Sequence, residues 1–204
     1  MCSFAKNSPA YFPEKAISMP FSPTGIDGLQ LFEPRVFEDD RGYFFEAYNA
    51  RLFDEAGIER PFVQDNQARS VRGVLRGLHY QIAPYAQAKL VRVLEGEVLD
   101  VAVDLREESP TYGQHYAVRL SAENKKQLYI PRGFAHAYVV LSETAEFFYK
   151  CDNFYAPDHE GGIIFNDSTL NIDWGITAKD LIISKKDLKL PVFGEHRTNV
   201  HPNV

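Results

Sequence analysis

From Gly73 onward, apolar and polar residues alternate with the two-residue period of β-strands, and turn-forming clusters break the alternation at short intervals. Leu90-Val91-Arg92-Val93-Leu94 is followed by Glu95-Gly96 and then by Val98-Leu99-Asp100-Val101-Ala102-Val103-Asp104-Leu105. This pattern predicts a hairpin with Asp100 and Asp104 on one face of its second strand. Residues 116–120, 127–130, 137–141 and 146–150 predict four more short strands, separated by Ser109-Pro110, Ser121-Ala122-Glu123-Asn124 and Ser142-Glu143-Thr144. Many short strands at regular spacing predict a sandwich or a barrel. A short helix is expected over 50–56, capped by Asn49 and followed by Gly57. The β-rich pattern ends near Ile164, and the Lys/Asp-rich stretch beyond Trp174 has room for short helices. Residues 1–25, with Pro9, Pro13, Pro20 and Pro23 and no period, read as an N-terminal arm. The folded domain is expected over 26–194, its first strand near Leu29-Gln30-Leu31-Phe32, with a tail over 195–204.

Composition narrows the class. A chain of 204 residues with 45% hydrophobic and 25% charged residues has the profile of one globular domain. Its net charge of −6 argues against non-specific nucleic-acid binding. Cys2 and Cys151 supply no disulfide framework, and a reducing cytoplasm is the expected location. No apolar run is long enough to span a bilayer, and the N-terminal residues lack a signal-peptide core.

Two segments carry chemistry. Gly73-Val74-Leu75-Arg76-Gly77-Leu78-His79-Tyr80-Gln81 puts a histidine, an arginine and a glutamine into one strand-like stretch, and Pro131-Arg132-Gly133-Phe134-Ala135-His136 follows about fifty residues later. The pair resembles the two histidine-bearing motifs of a cupin barrel without the metal ligands. Gln81 stands where a second histidine would, and the Lys89 ammonium lies downstream, adding a repelling charge and no lone pair. No metal is expected, and the chemistry points to proton transfer. His115, His159, His196 and His201 have no ligand spacing and are expected on the surface or in loops.

Further blocks extend the resemblance: Asp40-Arg41-Gly42-Tyr43-Phe44-Phe45-Glu46, Gln64-Asp65-Asn66, Glu146-Phe147-Phe148-Tyr149-Lys150, and Ser184-Lys185-Lys186-Asp187 with Pro191 beyond. With the two histidine segments they make six blocks in order, from about Gly28 to Phe193, and the chain resembles the dTDP-4-dehydrorhamnose 3,5-epimerase family of cupin-type sugar-nucleotide epimerases. The resemblance implies a mainly β fold, a cupin-type β-jelly roll with a few short peripheral helices. It implies cofactor-free epimerisation of dTDP-4-dehydro-6-deoxy-D-glucose at C3 and C5, since substrate and product share one oxidation state. His79 takes the role of base, oriented by Asp187; Tyr149 that of acid; Lys89 that of the cation beside the enolate. Arg41, Arg76 and Lys186 match positions that hold the diphosphate. Glu46, Gln64, Asp65 and Asn66 match residues that bind the nucleotide by hydrogen bonds, and Tyr155 the aromatic that stacks on thymine, with Phe154 as its neighbour and alternative. His136 and Glu160 complete the set. A homodimer is also implied, with Arg41 and Phe44 reaching the partner's site.

Other readings stand beside these. Taken singly, His79 fits a packed strand histidine, Tyr149 a core tyrosine sharing a face with Phe147, Asp187 a solvated loop residue, and the arginines surface ion pairs. A mono-epimerase uses the same base and acid, a sugar-nucleotide-binding cupin needs neither, and a metal-dependent dioxygenase or isomerase needs metal ligands that the two histidine segments do not offer. The sequence departs from the commoner family pattern at Gln67-Ala68 and at Ala137-Tyr138.

Overall fold

The computed structural model describes residues 20–199. Fourteen strands and one α-helix follow in chain order: β1 (Phe21–Pro23), β2 (Gln30–Phe32), β3 (Val36–Asp39), β4 (Gly42–Phe45), α1 (Ala50–Glu55), β5 (Gln64–Val71), β6 (Val74–Gln81), β7 (Lys89–Glu95), β8 (Glu97–Asp104), β9 (His115–Ser121), β10 (Gln127–Ile130), β11 (Phe134–Val140), β12 (Thr144–Cys151), β13 (Glu160–Gly162) and β14 (Ile182–Ile183). One sheet runs β1-β2-β10-β7-β12-β5 and the other β13-β6-β11-β8-β9, with β14 added parallel to β6. β3 and β4 form a separate hairpin. The two sheets facing each other make the jelly roll expected of the sequence.

Three layers of apolar side chains hold it. Between the sheets lie Leu31, Val91, Val98, Leu120, Leu128 and Phe147. The outer face of the second sheet is covered by Ile163, Leu170 and Trp174, packed on Val101, Val103, Ala135, Ala137 and Val139. Phe53 of α1 and Ile58 cover Phe32 and Leu90 on the outer face of the first sheet. β8 and β11 are therefore buried on both faces, which accounts for their near-continuous apolar runs. Asn49 caps α1 as expected, its side chain accepting from the Arg51 N–H.

Several expectations need correction. The run 90–105 is not a hairpin: β7 pairs with β10 and β12, and β8 with β9 and β11, so the turn at Gly96 carries the chain from one sheet to the other. Alternation fixes which residues face inward but not which strand is the neighbour. The sheet begins before Leu29, since Phe21–Pro23 pairs with Gln30–Phe32 inside the supposed arm, while residues 1–19 of that arm lie outside the described residues. Strand structure also continues past Ile164, into β14. His196 lies in a loop, one of its two expected settings, but is buried there, its ring stacked on Phe193 at 5.3 Å. It belongs to a tail that packs on the domain: Tyr80 donates to the Arg197 carbonyl at 2.7 Å, and Arg197 donates to the carbonyls of Asp158 and Glu160 at 2.9 Å each. His201 lies outside the described residues.

Candidate active site

The site grows out of an irregularity in β6. Arg76 pairs with Tyr138 and His79 with His136, so a three-residue step on β6 matches a two-residue step on β11. The extra residue falls beside Gly77, whose φ is +125°. A Cβ there would lie 2.5 Å from both the Ala137 Cβ and the His136 carbonyl oxygen, so only glycine lets the strands close here. In a regular strand, positions 76 and 79 face opposite sides. The bulge turns both toward one cavity.

β14 then brings in a distant segment. Its parallel pairing with Val74 and Leu75 lays Ser184–Asp187 alongside His79. His79 Nε2 lies 2.8 Å from Asp187 Oδ1, and Ser184 Oγ accepts the Asp187 N–H at 3.0 Å. Burial pushes the Asp187 carboxyl up, but the hydrogen bond and charge of His79, with the Ser184 hydroxyl and the Gly77 N–H, outweigh it and hold the pKa below the usual carboxylate range. An ionised carboxylate only accepts, so Nε2 carries the proton it donates and Nδ1 keeps its lone pair. A dyad of this geometry can act as a base with a fixed tautomer.

Two adjoining cavities share His79, Lys89 and Tyr149 as lining residues. The larger, ≈ 520 Å³, adds Arg76, His136, Tyr138, Phe147, Lys186 and Asp187. The smaller, ≈ 320 Å³, adds Gln64, Asn66, Gln81, Gln87, Tyr155 and Glu160. Tyr149 and Phe147 share the inner face of β12, as strand alternation requires. Burial pushes the Tyr149 phenol up to about 12, so it holds its proton at neutral pH. Burial lowers the Lys89 ammonium against the pull of Cys151, Asp100 and Glu160. Its Nζ stands 6.0 Å from the Tyr149 ring centre. His136 Nε2 lies 2.9 Å from the buried Asp100, and burial lowers the imidazole's pKa. Lys186 pairs with Glu160, which also accepts from the Tyr155 hydroxyl at 3.2 Å.

Gln81, at the position of a cupin metal ligand, is occupied elsewhere. Its Nε2 donates to the carbonyls of Tyr85 and Phe154 and its Oε1 accepts the Ala156 N–H, fixing the loop that carries Tyr155. Among the described residues no three His, Cys, Asp or Glu side chains converge as a metal site.

Of the residues expected in the site, His79, Lys89, Tyr149, Asp187, Arg76, His136, Gln64, Asn66, Tyr155, Glu160 and Lys186 line these cavities. Four do not. Asp65 lies on the outer face of β5, where Lys150 donates to it at 2.9 Å, because alternation sends it away from Gln64 and Asn66. Arg41 pairs with Asp39 on the β3–β4 hairpin, its side chain 89% exposed. Phe44 is 70% exposed on the same hairpin, and Glu46 accepts from Asn49 at 2.9 Å. Phe154 is exposed and contributes only its backbone carbonyl. Two residues were not anticipated: Asp100, behind His136, and Tyr138, in the cavity wall. A carboxylate inside the apolar run 98–105 was the available signal for the first.

The family model described as dTDP-4-dehydrorhamnose 3,5-epimerase matches residues 23–195. The dTDP-4-dehydrorhamnose 3,5-epimerase of Pseudomonas aeruginosa is 61% identical over 171 residues, 83% of this chain and 93% of that protein. The crystal structure of the Elizabethkingia anophelis dTDP-4-dehydrorhamnose 3,5-epimerase superimposes with a TM-score of 0.83 at 57% identity, covering 85% of this chain and 96% of the other. The dTDP-6-deoxy-D-glucose-3,5-epimerase of Legionella pneumophila, solved with dTDP-4-keto-L-rhamnose, gives 0.82 at 48% identity, covering 86% and 93%.

Proposed function

The chain belongs to the dTDP-4-dehydrorhamnose 3,5-epimerase family and epimerises dTDP-4-dehydro-6-deoxy-D-glucose at C3 and C5, and we propose that His79 and Tyr149 move the protons from opposite faces of the sugar. The observation that carries this assignment is a tautomer-fixed His79–Asp187 dyad and a phenol of pKa about 12 lining the same cavity, with the half-buried Lys89 as their common neighbour.

The C4 ketone acidifies the hydrogens on C3 and C5, because the carbanion left behind delocalises onto oxygen as an enolate. His79 Nδ1 takes the proton, and the Asp187 carboxylate stabilises the imidazolium that forms. Lys89 supplies positive charge to the enolate oxygen in a site where burial strengthens the attraction. Tyr149 returns a proton to the other face, which inverts the carbon; a phenol is weak enough to stay protonated until the enolate needs it. Arg76 and Lys186 hold the diphosphate, Tyr155 stacks on thymine, and Gln64, Asn66, Glu160 and His136 complete the polar contacts. Asp65, facing outward, has no part in this reading.

The protein acts as a homodimer in this scheme. Phe37, Tyr43 and Phe44 are 51%, 59% and 70% exposed on one hairpin, an apolar surface that a second copy would cover. Arg41, Phe44 and Glu46 then serve the partner's nucleotide site. A cytoplasmic location is supported by Cys151, buried as a free thiol.

Incubation with dTDP-4-dehydro-6-deoxyglucose in D₂O, followed by proton NMR, tests the assignment. Exchange at both C3 and C5 that disappears in His79→Ala is the expected result. Exchange at a single carbon would make the chain a mono-epimerase, and undiminished exchange in His79→Ala would remove the proposed base.

A further inference from the structure

Tyr138 carries a buried hydroxyl that lies near Ser70 and Arg76 without a well-formed hydrogen bond to either. It is 4% exposed and lines the larger cavity, its ring stacked on Phe147 with centroids 4.0 Å apart, yet its hydroxyl has no hydrogen-bond partner among the described residues. An orphaned buried hydroxyl destabilises a folded protein, so one kept on the wall of an active site calls for a function.

Its neighbours indicate which one. Tyr138 is the register partner of Arg76 across β6 and β11. Arg76 donates through Nε and Nη2 to a single acceptor, Ser70 Oγ, at 3.3 and 3.2 Å, both at the long end of the range. Burial raises the Tyr138 phenol's pKa, and the Ser70 hydroxyl and the Arg76 guanidinium pull against it, which marks them as its nearest polar groups. Arg76 is exposed, and a guanidinium held on the protein only by two long bonds to one hydroxyl is easily drawn to a ligand.

We propose that Tyr138 is a positioning residue for Arg76 and works by exchange of hydrogen bonds: when a nucleoside diphosphate draws the guanidinium off Ser70, the Tyr138 hydroxyl donates to the vacated Ser70 oxygen. Before binding, the phenol is unpaired and Ser70 serves Arg76. After binding, Arg76 serves phosphate oxygens through charge-assisted bonds and Ser70 serves Tyr138, so no buried group is left bare. Ligand binding thus removes a defect built into the free protein, and that difference appears as affinity. The inference rests on the assignment of Arg76 to the diphosphate.

The test is dTDP binding by calorimetry, with steady-state kinetics, on the full chain and on Tyr138→Phe, Ser70→Ala, the double variant and Arg76→Lys. Tyr138→Phe is expected to weaken dTDP about 3- to 10-fold, the scale of one net hydrogen bond. KM should rise more than kcat falls, and the melting temperature of the free protein should hold or increase. Ser70→Ala should weaken dTDP less than Tyr138→Phe does, because it removes bonds from the free state as well as from the bound one, and Tyr138→Phe added to Ser70→Ala should cost nothing further, since the acceptor is already gone. Unchanged affinity in Tyr138→Phe, or additive losses in the double variant, would overturn the proposal while leaving the diphosphate assignment intact if Arg76→Lys still weakens dTDP. Unchanged affinity in Arg76→Lys would overturn the assignment and the exchange together. If Tyr138→Phe fails to fold, Tyr138→Leu takes its place in the same comparison, and unchanged affinity there overturns the exchange.

Discussion

His79 and Asp187 are separated by 108 positions in the chain and meet at 2.8 Å. The contact exists because β14 adds to β6 as a parallel strand and delivers the following turn to the base. Replacing Asp187 by Asn keeps the shape but can donate to Nε2 and reverse the imidazole tautomer, placing the proton on Nδ1. Epimerisation by Asp187→Asn should fall by about 10²- to 10⁴-fold in kcat, the range of a positioned base, with dTDP affinity within about twofold. Loss of dTDP binding in parallel with rate would assign Asp187 to substrate binding instead.

The same carboxylate makes a prediction about acid. Its pKa is lower in the folded protein than the ordinary 3.8, so the folded state favours the ionised form. The stability this contributes is present above the unfolded-state pKa and is lost as pH falls through the depressed folded value. Denaturant melts from pH 5 downward should show a shallower decline in Asp187→Asn than in the parent chain. Asp104 remains a source of acid sensitivity in both: burial raises its pKa, but Arg106, Ser109 and Thr111 outweigh that and lower it.

Tyr149→Phe removes the acid and leaves the base. In D₂O the variant should still wash deuterium into the substrate through His79 while conversion to the inverted sugar falls about 10²- to 10⁴-fold. Proton NMR reads both quantities in one experiment, and loss of exchange together with inversion would show that Tyr149 acts before the enolate forms.

Lys89 is a half-buried lysine whose pKa is lowered mainly by loss of solvent. Folding therefore disfavours its charged form at neutral pH, and this cost shrinks as pH rises from the folded pKa toward the unfolded one. Lys89→Met should match or exceed the parent in urea stability at pH 7 while losing about 10²- to 10³-fold in kcat. A variant that is both inactive and strongly destabilised would show that the ammonium holds the fold together.

Gly77→Ala tests the bulge. A methyl group would enter space held by Ala137 and the His136 carbonyl, at a φ that other residues avoid. A loss of about 2–4 kcal/mol by chemical denaturation is expected. Activity should fall beyond what the unfolded fraction explains, because Arg76 and His79 no longer face one cavity.

Strand content, the inward faces of most strands and the capped helix were legible in the sequence alone. These follow from period-two alternation and from local motifs, which depend on neighbours within a few positions. β5 shows where that reading stops. Gln64, Asn66 and Ser70 alternate with Asp65, Gln67 and Arg69, so a strand facing a polar cavity on one side and water on the other carries no apolar period. Tertiary packing set the rest: 90–105 is split between two sheets, Asp65 faces outward from its motif, and the Tyr138 hydroxyl has no well-formed partner among the described residues. It alone decided that positions 76 and 79 share a cavity, through one extra residue in β6, and that Asp187 reaches His79 from the far end of the chain. Pairing partners, bulges and sheet changes are set by the packing of segments remote in sequence, and no local period encodes them.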